Sequence, residues 1–529
     1  MPRREAERSA DDLDSDAQCQ EERRRTGAAR SGRERFWVAC LVATLAVALA
    51  PLLWIPWIHG NDGVRNYVYC RSFWIDHDLD FANEFEHYRR AGEYEIDRID
   101  PLTGRPGNAL GIGSSILWSP FFWAGRLLAK AVGAPEDGYS APYAWAICFG
   151  STLYAIAGLI LLTRVALWRF ESRAALVGVL GVWLGSPLAF YMYLHPSMSH
   201  SCSFFLCSLL IWLYERWKRR VRLAHFFAIG FVGGLAAVTR FNNAVFLLLV
   251  FAFWLRAVRL STAFLDRHPA RRGAALWAGV LAGGGVLLAM APQFAAWRYF
   301  YGAWLAGPRD YDLGGNLRLW SSPYLYDLLF SGWRGMLVWS PVLFFAIVGF
   351  GLLLRHGRLL DATLAVMFVV QVWVIGGWEM WWGGASFGQR FFINFTPAFA
   401  IGLAWLFQRL RPGAPRRLLV ALVVGCVLWS AGLAVQYAAR LIPREEPVTL
   451  AQLARNQVRE APQWVFRHVV LFIPGFRTTP HGEDEGERTK DEDGVRPAQG
   501  EEGVGGAEGV GGADEEGGAP RHGAGSEEP

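Results

Sequence analysis

Apolar stretches of about twenty residues recur from Phe36 to Gln436, each closed by a short charged or Gly/Pro-containing interruption. A run of that length crosses a bilayer as an α-helix, and soluble chains rarely carry even one. The pattern predicts an all-α polytopic membrane protein with about eleven transmembrane helices. The first run, "FWVACLVATLAVALAPLLWIPWI" (36–58), is too long for a signal-peptide core and reads as an uncleaved anchor. The others are expected near 141–163, 174–194, 199–214, 223–239, 242–257, 274–297, 335–354, 359–378, 391–408 and 417–436.

One apolar stretch is left out of that count. "GIGSSILWSPFFWAGRLLAKAVG", from Gly111 to Gly133, carries Arg126, Lys130 and a central Pro120, and suits a pair of interfacial helices. Counting it as a span would put "RWKRR" and "RHPARR" outside the cell. With it on the surface, the inner loops hold Arg164, Arg169 and Arg173, then Lys218 and its arginine neighbours, then Arg256, Arg259, Arg267, Arg271 and Arg272, then Arg355 and Arg358, then Arg409 to Arg417. The short loops of the other side hold few basic residues, as the positive-inside rule requires. The N-terminus is then cytoplasmic and the C-terminus extracytoplasmic, in the cell's inner (plasma) membrane.

Four segments follow: a basic, disordered cytoplasmic stretch (1–35), the membrane domain (36–436) with its first outer loop at 59–140, an amphipathic extracytoplasmic segment (437–476), and an acidic Gly-rich tail (477–529) too poor in hydrophobes to fold. Composition agrees: 53% of the residues are hydrophobic. The net charge of +5 sits in scattered loop clusters rather than one stripe, which excludes a nucleic-acid partner.

The first outer loop opens "HGNDGVRNYVYCRSFWIDHDLDFANEFEHY", with six carboxylates in thirty residues. Asp62, just past the first span, is either a reactive carboxylate held at the membrane surface or a turn residue of "GNDG". Asp76, Asp78, Asp80 and Glu84 are weak candidates for a divalent cation, or else partners of Arg65 and Arg71. His195 and His200 share one loop without a third ligand, so they read as polar lining rather than a zinc site. Trp382 and its neighbours form either an interfacial belt or a platform for sugar rings.

The order of a first span, an acid-led outer loop, "YVYCRSFWIDHDLDFANEF", surface helices and many further spans resembles the GT-C class of integral-membrane glycosyltransferases. The likeness is to the bacterial branch similar to protein O-mannosyltransferases and aminoarabinose transferases. "WWGGASFGQRFFINFTPAF" and "RGMLVWSPVLFF" also look like elements of that branch. The resemblance implies that Asp62 is the general base, that no cofactor is needed, and that the donor is a sugar linked to polyprenyl phosphate. It leaves the acceptor open among glycan, lipid and protein. Where the family often has Asp-Glu, this chain has Asp62 followed by Gly63, and "LWSPFF" stands where a His-Pro-Pro-like element often occurs.

A lone carboxylate suits that chemistry. A sugar leaving from phosphate departs with an anion that needs no acid, so one base acting on the acceptor hydroxyl is enough. The leaving phosphate calls for guanidinium at the bilayer face, and Arg390 and Arg240 are so placed. Asn61, His195, His200, Asn242, Glu379, Trp382 and Gln389 are expected to line the substrate. The alternative is a transporter or flippase of lipid-linked sugar. It would favour ionisable residues in mid-span, and the spans here are nearly free of acid.

Overall fold

A computed structural model describes residues 32–94, 99–218, 220–265, 270–305 and 317–470. The expected cytoplasmic stretch up to residue 31 and the acidic tail at 477–529 lie outside the described residues. Among those described, all regular structure is helical. Extended backbone pairs only at two isolated bridges, Ile99 with Pro106 and Leu317 with Trp378.

Among the described residues, six helices are long and apolar enough to cross a membrane: Gly32–Leu53, Ala141–Arg169, Gly273–Tyr301, Leu359–Gly376, Arg390–Arg409 and Ala414–Ala438. Leu52, Leu276, Leu287, Val369 and Leu428 on them are exposed, a surface that suits hydrocarbon rather than water. The protein is therefore a helical membrane protein.

The other expected spans differ from continuous helices for identifiable reasons. The run 174–194 divides into Ser172–Leu184 and Leu188–Tyr193 around Pro187. The run 335–354 divides into Met336–Trp339 and Val342–Leu353 around Pro341. Proline lacks the N–H that would continue each helix and crowds the turn before it. The run near 242 opens as a 3-10 turn, Phe241–Phe246, before Leu247–Leu265. Two helices of 18 and 17 residues, His200–Trp217 and Leu223–Thr239, complete the bundle.

The stretch expected as a pair of interfacial helices is one helix, Gly113–Val132, with Pro120 inside it. Trp118 and Phe122 bracket the proline, are fully buried, and anchor both halves, Phe122 against Tyr143 at 4.9 Å between rings. Packing thus outweighs the bond that Pro120 cannot make. With Gly60–Arg71 and Ala82–Arg90, this helix builds a second aromatic core from Tyr67, Tyr69, Phe81, Phe85, Trp118 and Phe122. The loop at 59–140 is thus largely folded, seated on the start of Ala141–Arg169 and the end of Gly273–Tyr301.

Within 437–476, the described part is helical from Leu450 to Val470, with a wider turn at Asn456–Glu460. A reciprocal cap between Thr449 and Gln452 starts it. Exposed Val458 and Phe466 give it the apolar side of a surface helix.

Glycines let the bundle close. A Cβ on Gly402 would lie 2.2 Å from the Ala346 carbonyl, and one on Gly349 would lie 2.1 Å from the Gly402 carbonyl. The backbones of Val342–Leu353 and Thr396–Arg409 touch there, as small residues permit. Gly402→Val should therefore destabilise the protein by about 1–3 kcal/mol or more, read as a lower melting temperature in detergent.

Candidate functional site

The site is assembled at one end of the bundle. Past the first long helix the chain has no regular structure until Gly60, whose φ of +70° after an extended His59 turns it into the helix Gly60–Arg71. Asp62 occupies that helix's first turn, where the helix dipole favours a carboxylate. Gly63 allows a close approach: a Cβ there would sit 3.0 Å from the Ser197 hydroxyl.

Asp62 Oδ2 is bound by the guanidinium of Arg390, 328 positions away. Arg390 opens the 3-10 turn Arg390–Phe395, after a loop in which Gly383, Gly384 and Gly388 take positive φ. Asp62 keeps 23% of its side chain exposed and Arg390 12%, so the pair lies at an opening rather than in the sealed core. Arg240 ends the helix Leu223–Thr239 and donates to Ser199 Oγ at 3.1 Å, with His200 Nε2 at 3.4 Å. Asn242 donates to the Phe391 carbonyl at 2.9 Å, tying the Arg240 segment to the Arg390 segment. Gln371 donates to the same carbonyl at 2.7 Å.

Charge at Asp62 follows from this. Burial pushes its carboxyl up. Arg390 first, then Arg240 and Arg65, pull it down further, so it lies below the ordinary carboxylate range and is ionised at neutral pH. His195 goes the other way. Burial first, then the nearby His59, Arg444 and Arg390, lower it to about 3, so it is neutral. Its Nε2 faces His59 Nε2 at 3.4 Å and its ring stacks on Phe190. His200 is fully buried with its ring 4.1 Å from that of Tyr191.

The remaining expected site residues have diverse settings. Asn61 is half-buried directly before Asp62. Gln389 is buried and donates to the Trp381 carbonyl at 3.0 Å, bracing the loop that carries Arg390. Trp382 stacks on Trp333 with ring centres 4.3 Å apart. Glu379 pairs with Arg318 at 3.7 Å, near the surface. Asp76 and Glu84 both bind the Arg71 guanidinium. Asp78 accepts from Ser72 Oγ at 2.7 Å and Asp80 from the Ala82 N–H at 3.1 Å, the latter heading the helix Ala82–Arg90. Among the described residues, no three His, Cys, Asp or Glu side chains are grouped as an ion requires.

No protein-family model and no curated protein matches this chain. The chemistry must therefore be read from the residues themselves.

Two further arginines belong to the site, and the sequence gives little sign of either. Arg65, one turn beyond Asp62, is buried, donates to Tyr94 Oη at 3.3 Å, and leaves its Nε without a partner. Its spacing of three from Asp62 on one helix is the one signal that points to it. Arg334 is 1% exposed, and burial draws its guanidinium down to about 10, still cationic at neutral pH. It opens the element "RGMLVWSPVLFF", a pattern that marks the segment but gives its arginine no role. Buried donors on Arg65, Arg334 and Arg390 lack partners. Such donors are costly unless something accepts from them. One carboxylate among several guanidiniums makes a net-positive recess suited to an oxyanion.

Proposed function

We propose that the protein is an inverting membrane glycosyltransferase of the GT-C type. It moves a sugar from a polyprenyl-phosphate donor to a glycan, lipid or protein acceptor outside the cytoplasm. The observation that carries this reading is the pairing of Asp62 with Arg390 beside Arg240 and Arg65, where the buried Nε donors of Arg390 and Arg65 await an acceptor. The chain crosses the inner membrane about eleven times in this reading, the broken helices included, with the Asp62 end extracytoplasmic.

In the resting protein Arg390 is held by Asp62. A donor phosphate carries more charge and more acceptor oxygens than one carboxylate, so Arg390 turns to it, aided by Arg240. Asp62 then loses its strongest counter-charge and becomes a better base. The acceptor hydroxyl oxygen attacks the anomeric carbon opposite the phosphate. Its proton passes to Asp62, and the electrons of the breaking C–O bond leave with the polyprenyl phosphate. That departing anion needs no proton, so one carboxylate suffices. The half-buried, stacked pair Trp333 and Trp382 offers indole surface for sugar.

The reading is tested with purified protein in lipid vesicles, a radiolabelled polyprenyl-phosphate sugar and a mixed glycan and lipid acceptor pool. Release of polyprenyl phosphate with label passing to acceptor is expected; label that stays on the donor and only crosses the bilayer would instead establish a flippase. Arg390→Gln adds a pH signature. Because Arg390 lowers the Asp62 pKa in the donor-free protein, wild-type kcat/KM for the donor falls only as pH drops below the usual carboxylate range. Without Arg390 that acid limb should move upward by about 1–3 units, together with weaker donor binding.

A further inference from the structure

We infer that Arg334 is a positioning residue that fixes Arg390 for the donor phosphate, an assignment that rests on the transferase reading above. Its Nε donates to the Ser386 carbonyl in the Gly-rich loop, and its terminal nitrogen donates to the Arg444 carbonyl in the segment that follows the last long helix. Its own carbonyl accepts a long contact from Gln389 Nε2 at 3.5 Å, and Gln389 directly precedes Arg390. Ser386 and Arg390 meet at Gly383. A Cβ built there would lie 3.2 Å from Arg390 Nε and 3.3 Å from Ser386 Oγ. Holding the Ser386 carbonyl therefore sets the wall against which the Arg390 guanidinium rests.

The backbone bears out a demanding placement. Arg334 has φ of +65°, a conformation unfavourable for a long side chain. It persists because the turn is over-determined on every side. Trp333 stacks on Trp382 of the Gly-rich loop, Trp339 Nε1 donates to the Gly332 carbonyl at 2.8 Å, and a Cβ on Gly332 would lie 2.5 Å from the Val448 carbonyl. The turn is thus clamped between the loop that carries Arg390 and the segment at 441–449. A fork of guanidinium nitrogens is needed to reach both carbonyls at once; a lysine ammonium reaches one.

A double-mutant cycle tests this, with polyprenyl monophosphate binding to the full chain in detergent micelles as the readout. Arg334→Lys alone is expected to weaken binding about tenfold, and to add nothing further when Arg390 is already Lys, because contacting residues in one network are non-additive. The acid limb of transfer should also shift upward in Arg334→Lys, as it does when Arg390 is removed. Wild-type binding by Arg334→Lys, or a loss that adds in full to that of Arg390→Lys, overturns the inference and leaves the transferase reading standing. If wild-type protein binds no polyprenyl monophosphate, the transferase reading falls and this inference with it. Should Arg334→Lys not fold, Arg334→Gly serves in the same cycle, since glycine adopts the positive φ without strain.

Discussion

Asp62→Asn protein is expected to transfer sugar about 10²–10⁴ times more slowly than wild type, the usual cost of losing a general base. Its affinity for polyprenyl monophosphate should be unchanged or higher. Asp62 competes with the phosphate for Arg390 and repels it, so an amide in its place releases the guanidinium to the ligand. Asparagine keeps the shape and a carbonyl acceptor, and the Asn66 side chain bonds the backbone oxygen of residue 62 rather than its carboxyl. The helix Gly60–Arg71 should therefore persist. A single-turnover assay and an equilibrium binding measurement on the same preparation separate the two roles. Loss of both binding and turnover would make Asp62 a structural anchor of Arg390 and not a base.

The largest effect on stability is expected at the opposite end of the bundle. Arg169 closes the 29-residue helix Ala141–Arg169, about 40 Å from its start, and its Nη2 donates to both oxygens of Asp361 at 2.7 and 2.6 Å. The pair is almost sealed, with Arg169 2% and Asp361 0% exposed, and Arg169 Nε and Nη1 have no hydrogen-bond partner. Asp361→Ala would strand a buried cation. A cost of about 3–5 kcal/mol follows, read as a large fall in melting temperature. The double replacement Arg169→Met with Asp361→Leu should recover most of it, because no uncompensated charge is left in the apolar interior. Transfer by the surviving folded fraction should remain near normal, as the pair lies far from Asp62. Equal loss in the double replacement would mean that the ion pair specifies the helix packing and does more than satisfy itself.

Part of this architecture is legible in the chain's apolar pattern. Long apolar runs such as 141–163 and 417–436 map directly onto helices, because in hydrocarbon a helix is the one local structure that satisfies its own backbone. The breaks are less visible: Pro187 and Pro341 lie inside apolar runs that hydropathy alone treats as continuous. Pro120 misleads in the other direction, since Trp118 and Phe122 hold one helix together through it. Asp62 stands out by its place after the first span, yet no local pattern reports that Arg390 reaches it. Asn242 and Gln389, expected as substrate lining, donate to backbone carbonyls and hold the arginine segments in place, which no local pattern shows. Arg334 opens "RGMLVWSPVLFF", yet its role is not legible there, because that role lies in a left-handed turn and in two carbonyls distant along the chain.

The most direct measurement is an experimental density map of the protein in nanodiscs with a non-transferable polyprenyl-phosphate sugar analogue bound. Phosphate density within hydrogen-bond reach of Arg390 and Arg240 is expected, with the Arg390 guanidinium turned away from Asp62 and the Asp62 carboxylate facing the acceptor side of the sugar. An Asp62–Arg390 pair left intact while the analogue binds elsewhere would contradict the mechanism.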